Sequence, residues 1–333
     1  MPFVRARWIG FSNTLKCSKD LCQVLIIQLQ INSCLAIIPQ ISILLFDICC
    51  MEQKKIGWIG LGNMGIPMAE KLINANYPVS VYNRNSAKAE ALIKMGASDC
   101  SSTSGLLDSS DVVFIMVSDD EAIKQIFESE NGLLASGSSG RTIVNMSTVS
   151  PEISIEMAGR CTAKGNFYLD APVSGSVKQA ETGTLVIMVG GDKQIFETTK
   201  PVLDCLGKLT LHVGETGAGN NAKLAINALL AVYAQGLAET VLFANEKGVK
   251  TQDLLELINN AAIGNLFTKI KGEAILQNNF KAAFALKHIV KDLKLAQNQG
   301  LNSPLAKAAI ATFKAAEETS AEDDIIAIIN SLK

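Results

Sequence analysis

Histidine is almost missing from this chain, with two in 333 residues, His212 and His288. Two imidazoles cannot build a three-histidine metal site, and no cysteine pair stands at finger-like spacing, so no metal site is expected. Excess charge of either sign is missing too. Thirty basic residues face 32 acidic ones, a formal net charge of −2. Nucleic acid as main partner would need a concentrated basic face and is excluded on that ground. Cysteine is scarce beyond residue 50: five of the eight (Cys17, Cys22, Cys34, Cys49, Cys50) precede it. A disulfide framework would not be spread that way, so the main body reads as a protein of a reducing compartment, the cytoplasm. The length favours two domains, because a single core stops growing near roughly 250–300 residues.

Residues 1–50 differ from the rest. Leu21 to Phe46 carries no charge, which invites a membrane reading. The same stretch holds Gln23, Gln28, Gln30, Asn32, Ser33, Gln40, Ser42 and Pro39, and each polar group would be costly in lipid. No compact apolar run ends in a small-residue cleavage site, and the Arg- and Ser-rich character of organelle presequences is weak. Met51 is therefore read as the start of the working protein. A targeting segment, which would place the protein in an organelle, and a weak membrane anchor are the alternatives. No membrane partner is expected.

From Ile56 short apolar runs alternate with helical stretches, the signature of a doubly wound parallel sheet. Strands are predicted at Ile56–Gly60, Val79–Tyr82, Val112–Val117, Thr142–Asn145, Phe167–Asp170 and Leu185–Val189. Helices are predicted between them, such as Met64–Ala75, Ala87–Met95, Glu121–Glu128 and Pro151–Cys161. Past Gly214 the strand signals stop. Helices follow at Asn220–Lys247, Thr251–Asn260, Lys281–Gln299 and Ser303–Thr319. The fold class is therefore α/β: an N-terminal Rossmann-type dinucleotide-binding domain (52–214) followed by an all-helical C-terminal domain (215–333), after an extension of unclear status (1–51).

Gly60-Leu61-Gly62-Asn63-Met64-Gly65 fits G-x-G-x-x-G between a predicted strand and a predicted helix, the context that dinucleotide binding requires. Gly60 permits the tight turn, Gly62 lets backbone approach a pyrophosphate, and Gly65 lets helix and strand pack closely. The helix N-terminus stabilises phosphate charge. At the end of the second strand an NAD-preferring site places a carboxylate for the ribose 2′-hydroxyl. Here Asn83 stands in that place, and Arg84 follows as a planar cation suited to a 2′-phosphate. NADP(H) is the preferred cofactor and NAD(H) a possible one; Arg84 as a solvated surface charge is the alternative. Val117 and Ser118 join the cofactor set at the C-terminal end of the third predicted strand.

Three further stretches carry candidate chemistry. Asp170-Ala171-Pro172-Val173-Ser174-Gly175-Ser176 follows a strand directly, where open α/β sheets bind ligands. Ser174, Gly175 and Ser176 offer neutral donors to a substrate carboxylate, or form a plain turn. Gly217-Ala218-Gly219-Asn220-Asn221-Ala222-Lys223 opens the long helix, with Lys223 and Asn227 sharing one face. On such an apolar face Lys223 either snorkels to water or is held in a cleft with a perturbed pKa, and taken alone it reads as a surface lysine. Around Phe284, the residues Lys287, Lys291 and Asp292 read alone as a charged helix face.

The ordered set of these motifs resembles the β-hydroxyacid dehydrogenases over residues 55–333, and most nearly their glyoxylate/succinic semialdehyde reductase branch. The resemblance rests on Gly57 to Gly65, on Met146-Ser147-Thr148-Val149, on Asp170 to Ser176, on Gly217 to Asn227 and on Lys291-Asp292. It implies that Lys223 is the catalytic lysine with Asn227 as its partner, and that Thr148 and Lys291 lie by the cofactor. It also implies that Phe284 and Asp292 line the substrate from the helical side. The implied reaction is NADPH-dependent reduction of a small carboxylate-bearing aldehyde, glyoxylate or succinic semialdehyde, to the hydroxyacid. Relatives acting on 3-hydroxyisobutyrate or tartronate semialdehyde carry a second glycine where Ser176 stands, and those substrates are the alternative. A non-catalytic NADP-binding homologue is an alternative of another class. The long helix is more apolar than one exposed face allows, so a homo-oligomer, dimer or tetramer, is expected.

Overall fold

The computed structural model describes residues 53–333. The readings of residues 1–50 as a leader, a targeting segment or a membrane anchor lie outside the described residues.

Strands β1 (Ile56–Ile59), β2 (Val79–Tyr82), β3 (Ser98–Asp99), β4 (Val112–Ile115), β5 (Thr142–Asn145) and β6 (Phe167–Asp170) form a parallel sheet in the order 3-2-1-4-5-6. Every residue of β1, β4 and β5 is buried. Parallel strands covered on both faces require such continuous apolar runs, and β-branched Val and Ile supply them. Helices α1 (Gly65–Asn74), α2 (Glu90–Lys94), α3 (Thr103–Asp108), α4 (Asp120–Glu128) and α5 (Pro151–Ala163) carry the crossovers. One core holds Trp58, Phe114, Met68 and Leu72; another holds Ile59, Ile115, Phe127 and Tyr168. Trp58 stacks on Phe114 with ring centroids 5.5 Å apart.

Beyond β6 the sheet changes direction. Strand β7 (Val173–Ser174) pairs antiparallel with β8 (Leu185–Gly191), which also runs antiparallel to β6 and parallel to β9 (Gly207–Gly214). Between these strands lie α6 (Val177–Thr182) and α7 (Lys193–Leu203). Strand β9 was not expected from the sequence. Its Leu209 and Leu211 are 50% and 52% exposed and Lys208 is exposed, so it lacks the buried run that marks the inner strands.

The rest of the chain is helical: α8 (Ala218–Glu246), α9 (Thr251–Asn260), α10 (Leu266–Leu276), α11 (Leu286–Asn298), α12 (Pro304–Ser320) and a 3₁₀ segment at Ile325–Ser331. Along the 29 residues of α8, Gly219, Asn220, Lys223, Leu224, Asn227, Ala231, Ala234, Leu237, Ala238, Val241 and Ala244 are buried. Steps of three and four make that set one stripe. It packs α8 against β8 and β9 of the sheet and against α11, α12 and the 3₁₀ segment of the helical core.

The helix predicted over Lys281–Gln299 begins only at Leu286. The buried Asp324 carboxylate accepts hydrogen bonds from the N–H groups of Ala283 (3.0 Å) and Phe284 (3.3 Å) and is held by the Lys271 ammonium at 2.6 Å. Those contacts draw the preceding residues out of helical pairing. Helix α10 was also not expected; it leaves Leu266 and Ile270 exposed, which blurs its apolar periodicity.

The docking of α8 depends on Gly219, where an added Cβ would lie 2.5 Å from the Met188 carbonyl and 2.6 Å from the Asp170 carbonyl. Gly219→Ala is expected to destabilise the protein by about 1–3 kcal/mol, the cost of overpacking, as read by urea unfolding.

Candidate active site

The C-terminal ends of β1, β2 and β4 open onto a cleft of about 510 Å³ lined by Gly60, Leu61, Gly62, Asn83, Arg84, Val117 and Ser118. Three glycines shape it for separate reasons. Gly60 has φ +98°, and an added Cβ there would meet the Met116 carbonyl at 2.1 Å. At Gly65 a Cβ would meet the Gly60 carbonyl at 2.0 Å, so only glycine lets α1 start so close to β1. At Gly62 a Cβ meets nothing within 4 Å. Packing inside the protein therefore does not require glycine at 62. Open space at the start of α1 is what a pyrophosphate approaching the backbone would occupy, and the residues present fit a dinucleotide. Asn63 and Met64 complete the turn into α1, and the Gly62 carbonyl accepts the Ile66 N–H at 3.1 Å.

Asn83 has a structural use. Its Oδ1 accepts the Leu61 N–H at 3.0 Å and its Nδ2 donates to the Asn85 carbonyl at 2.9 Å, which fastens the glycine loop to the end of β2. Arg84 is exposed on the cleft wall beside Lys88, a cation that the sequence reading missed. Its signal was present as a second cation shortly after Arg84 at the end of β2.

A second set of residues joins the sheet to α8. Asp170, fully buried at the end of β6, accepts the N–H groups of Gly217 and Asn220, each at 2.8 Å. Gly217 has φ +92° at the helix start, a conformation that favours glycine. Asn220 accepts the Val149 N–H at 3.1 Å and donates to Ser154 Oγ at 3.0 Å. Burial raises the Asp170 carboxyl above its ordinary pKa while the amide bonds oppose that shift.

That junction places Lys223 inside the protein, at 8% exposure, where a surface position was expected from the residue alone. Burial lowers its ammonium pKa to about 8; the neighbouring Asp292 raises it and Lys291 lowers it. Asn227, at 2% exposure and one turn along the same face, donates from Nδ2 to Asp292 Oδ2 at 2.6 Å. Asp292 is equally buried, and its Oδ1 stands 3.1 Å from the Lys291 ammonium. Lys291 also donates to the Thr148 carbonyl, so α11 grips the segment after β5 beside the cofactor side of the sheet. Asp292 thus holds Asn227 and acts on Lys223 through charge.

Ser174, Gly175 and Ser176 lie in β7 and the turn after it, and among the described residues no hydrogen bond joins them to the Lys223 cluster. Gly175 adopts φ +144°. Ser176 donates both its N–H (2.8 Å) and its hydroxyl (2.6 Å) to Gln179 Oε1, so neither bond reaches the Lys223 cluster. Phe284 is half-buried in the helical domain, its ring stacked on His288 with centroids 6.0 Å apart. The structure thus brings the glycine loop, Asn83, Arg84, Val117 and Ser118 to one cleft. It brings Thr148, Lys223, Asn227, Lys291 and Asp292 into a second cluster.

A Rossmann cleft and a buried lysine cluster suit an NAD(P)-dependent oxidoreductase, and the relatives show that class, acting on CH–OH groups. The family described as the NAD binding domain of 6-phosphogluconate dehydrogenase matches residues 55–214. The family described as NAD-binding of NADP-dependent 3-hydroxyisobutyrate dehydrogenase matches residues 217–332. Glyoxylate/succinic semialdehyde reductase 2, chloroplastic, of Arabidopsis thaliana is 35% identical over 283 residues, 84% of this chain and 79% of that one. Among solved structures, a 3-hydroxyisobutyrate dehydrogenase of Mycobacterium tuberculosis with L-serine is 29% identical, with TM-score 0.78, over 85% of this chain and 100% of that one. The protein Psf3 in complex with NADP+ and 2-OPP is 25% identical, with TM-score 0.76, over 84% and 100%. The chain belongs to the β-hydroxyacid dehydrogenase family.

Gly62→Ala is expected to fold like the wild type, since the added methyl meets no protein atom. It should weaken NADPH binding by about tenfold, near 1.4 kcal/mol. Quenching of Trp58 fluorescence by the bound nucleotide reads both quantities, because the indole N–H donates to the Gly60 carbonyl beneath the loop.

Proposed function

We propose that the chain is an NADPH-dependent reductase of small aldehyde acids, glyoxylate or succinic semialdehyde, with Lys223 as proton donor. The observation that carries this reading is a buried lysine whose pKa is lowered to about 8, next to Asn227 and Asp292, at the start of the helix docked on the sheet. A bound dihydronicotinamide supplies a hydride to the carbonyl carbon. The chain's own part is to receive the charge that builds on the carbonyl oxygen. The Lys223 ammonium stabilises that charge and gives it a proton. With Nδ2 held by Asp292, Asn227 turns its Oδ1 the other way, free to accept from the Lys223 ammonium or a substrate hydroxyl. In oxidation the neutral amine of Lys223 takes the hydroxyl proton. Reduction therefore needs Lys223 protonated and declines as pH rises through about 8, whereas oxidation gains over the same range.

Several features support NADP(H) over NAD(H). Asn83 replaces the ribose-binding acid and has both ends of its amide committed to backbone, and Arg84 and Lys88 supply two cations on the cleft wall. Ser174, Gly175 and Ser176 bound the proposed carboxylate side, with Phe284 and Asp292 on the helical side. On the outer surface Leu229, Leu257, Ile263 and Leu266 are 53%, 66%, 69% and 68% exposed. A groove lined by Tyr233, Gly236 and Ile263 runs among them, which supports a homo-oligomer. Cys100, Cys161 and Cys205 are all free, in keeping with a reducing compartment, and we place the body of the protein in the cytoplasm.

Steady-state rates on glyoxylate, succinic semialdehyde, tartronate semialdehyde and 3-hydroxyisobutyrate, each with both nucleotides, test the reading. The expected order puts the first two with NADPH foremost. Lys223→Ala should keep NADPH binding and lose roughly 10²–10⁴-fold in kcat; near-normal turnover would remove Lys223 from the chemistry.

A further inference from the structure

The segment Ser147–Ser150, which follows β5, is tied down at every residue. The Ser147 N–H goes to Asn145 Oδ1 at 3.0 Å, and the Thr148 carbonyl accepts from Lys291. The Val149 N–H goes to Asn220 Oδ1 at 3.1 Å and the Ser150 N–H to Asp120 Oδ1 at 2.9 Å. Ser147 carries the restraint onward. Its hydroxyl oxygen accepts the Val117 N–H at 2.9 Å, and Val117 lines the nucleotide cleft.

Behind that segment lies a buried polar network that the mechanism above does not use. With Oδ1 held by Ser147, Asn145 turns its Nδ2 to the Tyr168 hydroxyl at 3.0 Å. Burial raises the Tyr168 pKa above its ordinary value, so the phenol stays protonated and donates to Ser154 Oγ at 3.4 Å. Ser154 Oγ also accepts at 3.0 Å from Nδ2 of Asn220, one turn before Lys223 on α8. Asn145, Ser147, Ser154 and Asn220 are fully buried, and Tyr168 is 5% exposed. Apolar side chains would fill this space without a desolvation cost, but would leave the strands and helices free to settle in several ways. A paired polar network fixes one arrangement.

We propose that Ser147 is a positioning residue for the hydride transfer: with Asn145, Tyr168 and Ser154 it holds the Val117 wall of the nucleotide cleft in register with the start of α8, and so with Lys223. This rests on the reading of Lys223 as proton donor. Misplacing reacting groups by about 1 Å costs roughly a hundredfold in rate, so hydrogen bonds remote from the reacting atoms govern turnover.

The test compares wild type, Ser147→Ala and Tyr168→Phe as full-length proteins, by NADPH binding and by the single-turnover rate of NADPH oxidation with succinic semialdehyde. Ser147→Ala removes the acceptor for Val117 and keeps its own N–H bond to Asn145. Tyr168→Phe keeps the ring packed on Phe127, with centroids 6.2 Å apart, and decides the matter alone if Ser147→Ala does not fold. Single turnover should slow by about tenfold or more in Ser147→Ala and about threefold or more in Tyr168→Phe. NADPH affinity should change by less than about threefold, and the pH midpoint of about 8 should stay. Because both hydroxyls act through one network, the double variant should be about as slow as Ser147→Ala; losses that multiply would overturn the assignment. Unchanged single turnover in either folded variant, whatever its melting temperature, would reduce the network to a structural role and overturn the assignment, while leaving the reductase reading standing. A wild type that reduces neither glyoxylate nor succinic semialdehyde with NADPH would overturn both.

Discussion

One buried carboxylate holds the two halves of this protein in register. Asp170 ends the last parallel strand, and its oxygens accept the first free N–H groups of α8. Four N–H groups at a helix start lack intrahelical partners, and burying them unpaired would cost about 1–3 kcal/mol each. A carboxylate there also meets the positive end of the helix dipole. The glycines follow from that contact. Gly217 provides the left-handed turn into the helix, and Gly219 lets it approach the Met188 and Asp170 carbonyls. With the first turn fixed, Lys223 and Asn227 have one place to go.

That place lies where the helical domain meets the segment after β5. Asn220 of α8 binds the Val149 N–H, Lys291 of α11 binds the Thr148 carbonyl, and Gln299 at the end of α11 binds Glu152. Three residues of the helical domain thus hold one short stretch of the dinucleotide domain, on the side of the sheet where the glycine loop lies. Burial lowers the pKa of Lys223 and the Asp292 carboxylate limits the fall. The result is a lysine that can change protonation state near neutral pH, which an exposed lysine cannot do.

The inner strands β1, β4 and β5 were legible because they are buried on both faces and so read as apolar runs between glycine-marked turns, whereas β3, with Ser98 and Asp99 both exposed, was not. Val79–Tyr82, Thr142–Asn145 and Phe167–Asp170 have the bounds their sequence predicts. Strand β9 was not legible, since Lys208, Leu209 and Leu211 face solvent and break the buried run. The late start of α11 was hidden for another reason: Asp324, some 40 residues away, draws the backbone at Ala283 and Phe284 out of the helix. In the site, the glycine loop declared itself by local chemistry. Lys223 did not, because its burial is set by Asp170, which is 53 residues earlier in the chain; only the resemblance of the ordered motifs pointed to it. Ser176 misled in the opposite sense, for its hydroxyl looks free in sequence and is bound to Gln179 in the fold.

The central claim is that the fold holds Lys223 where it can give and take a proton near pH 8. The direct measurement is an NMR titration of lysine carrying ¹³C at Cε, in the nucleotide-free protein, with the Lys223 signal assigned by its loss in Lys223→Met. The account predicts a midpoint of about 8, moving lower in Asp292→Asn as the stabilising carboxylate charge is removed. A midpoint at the ordinary lysine value, about 10.4, would contradict it.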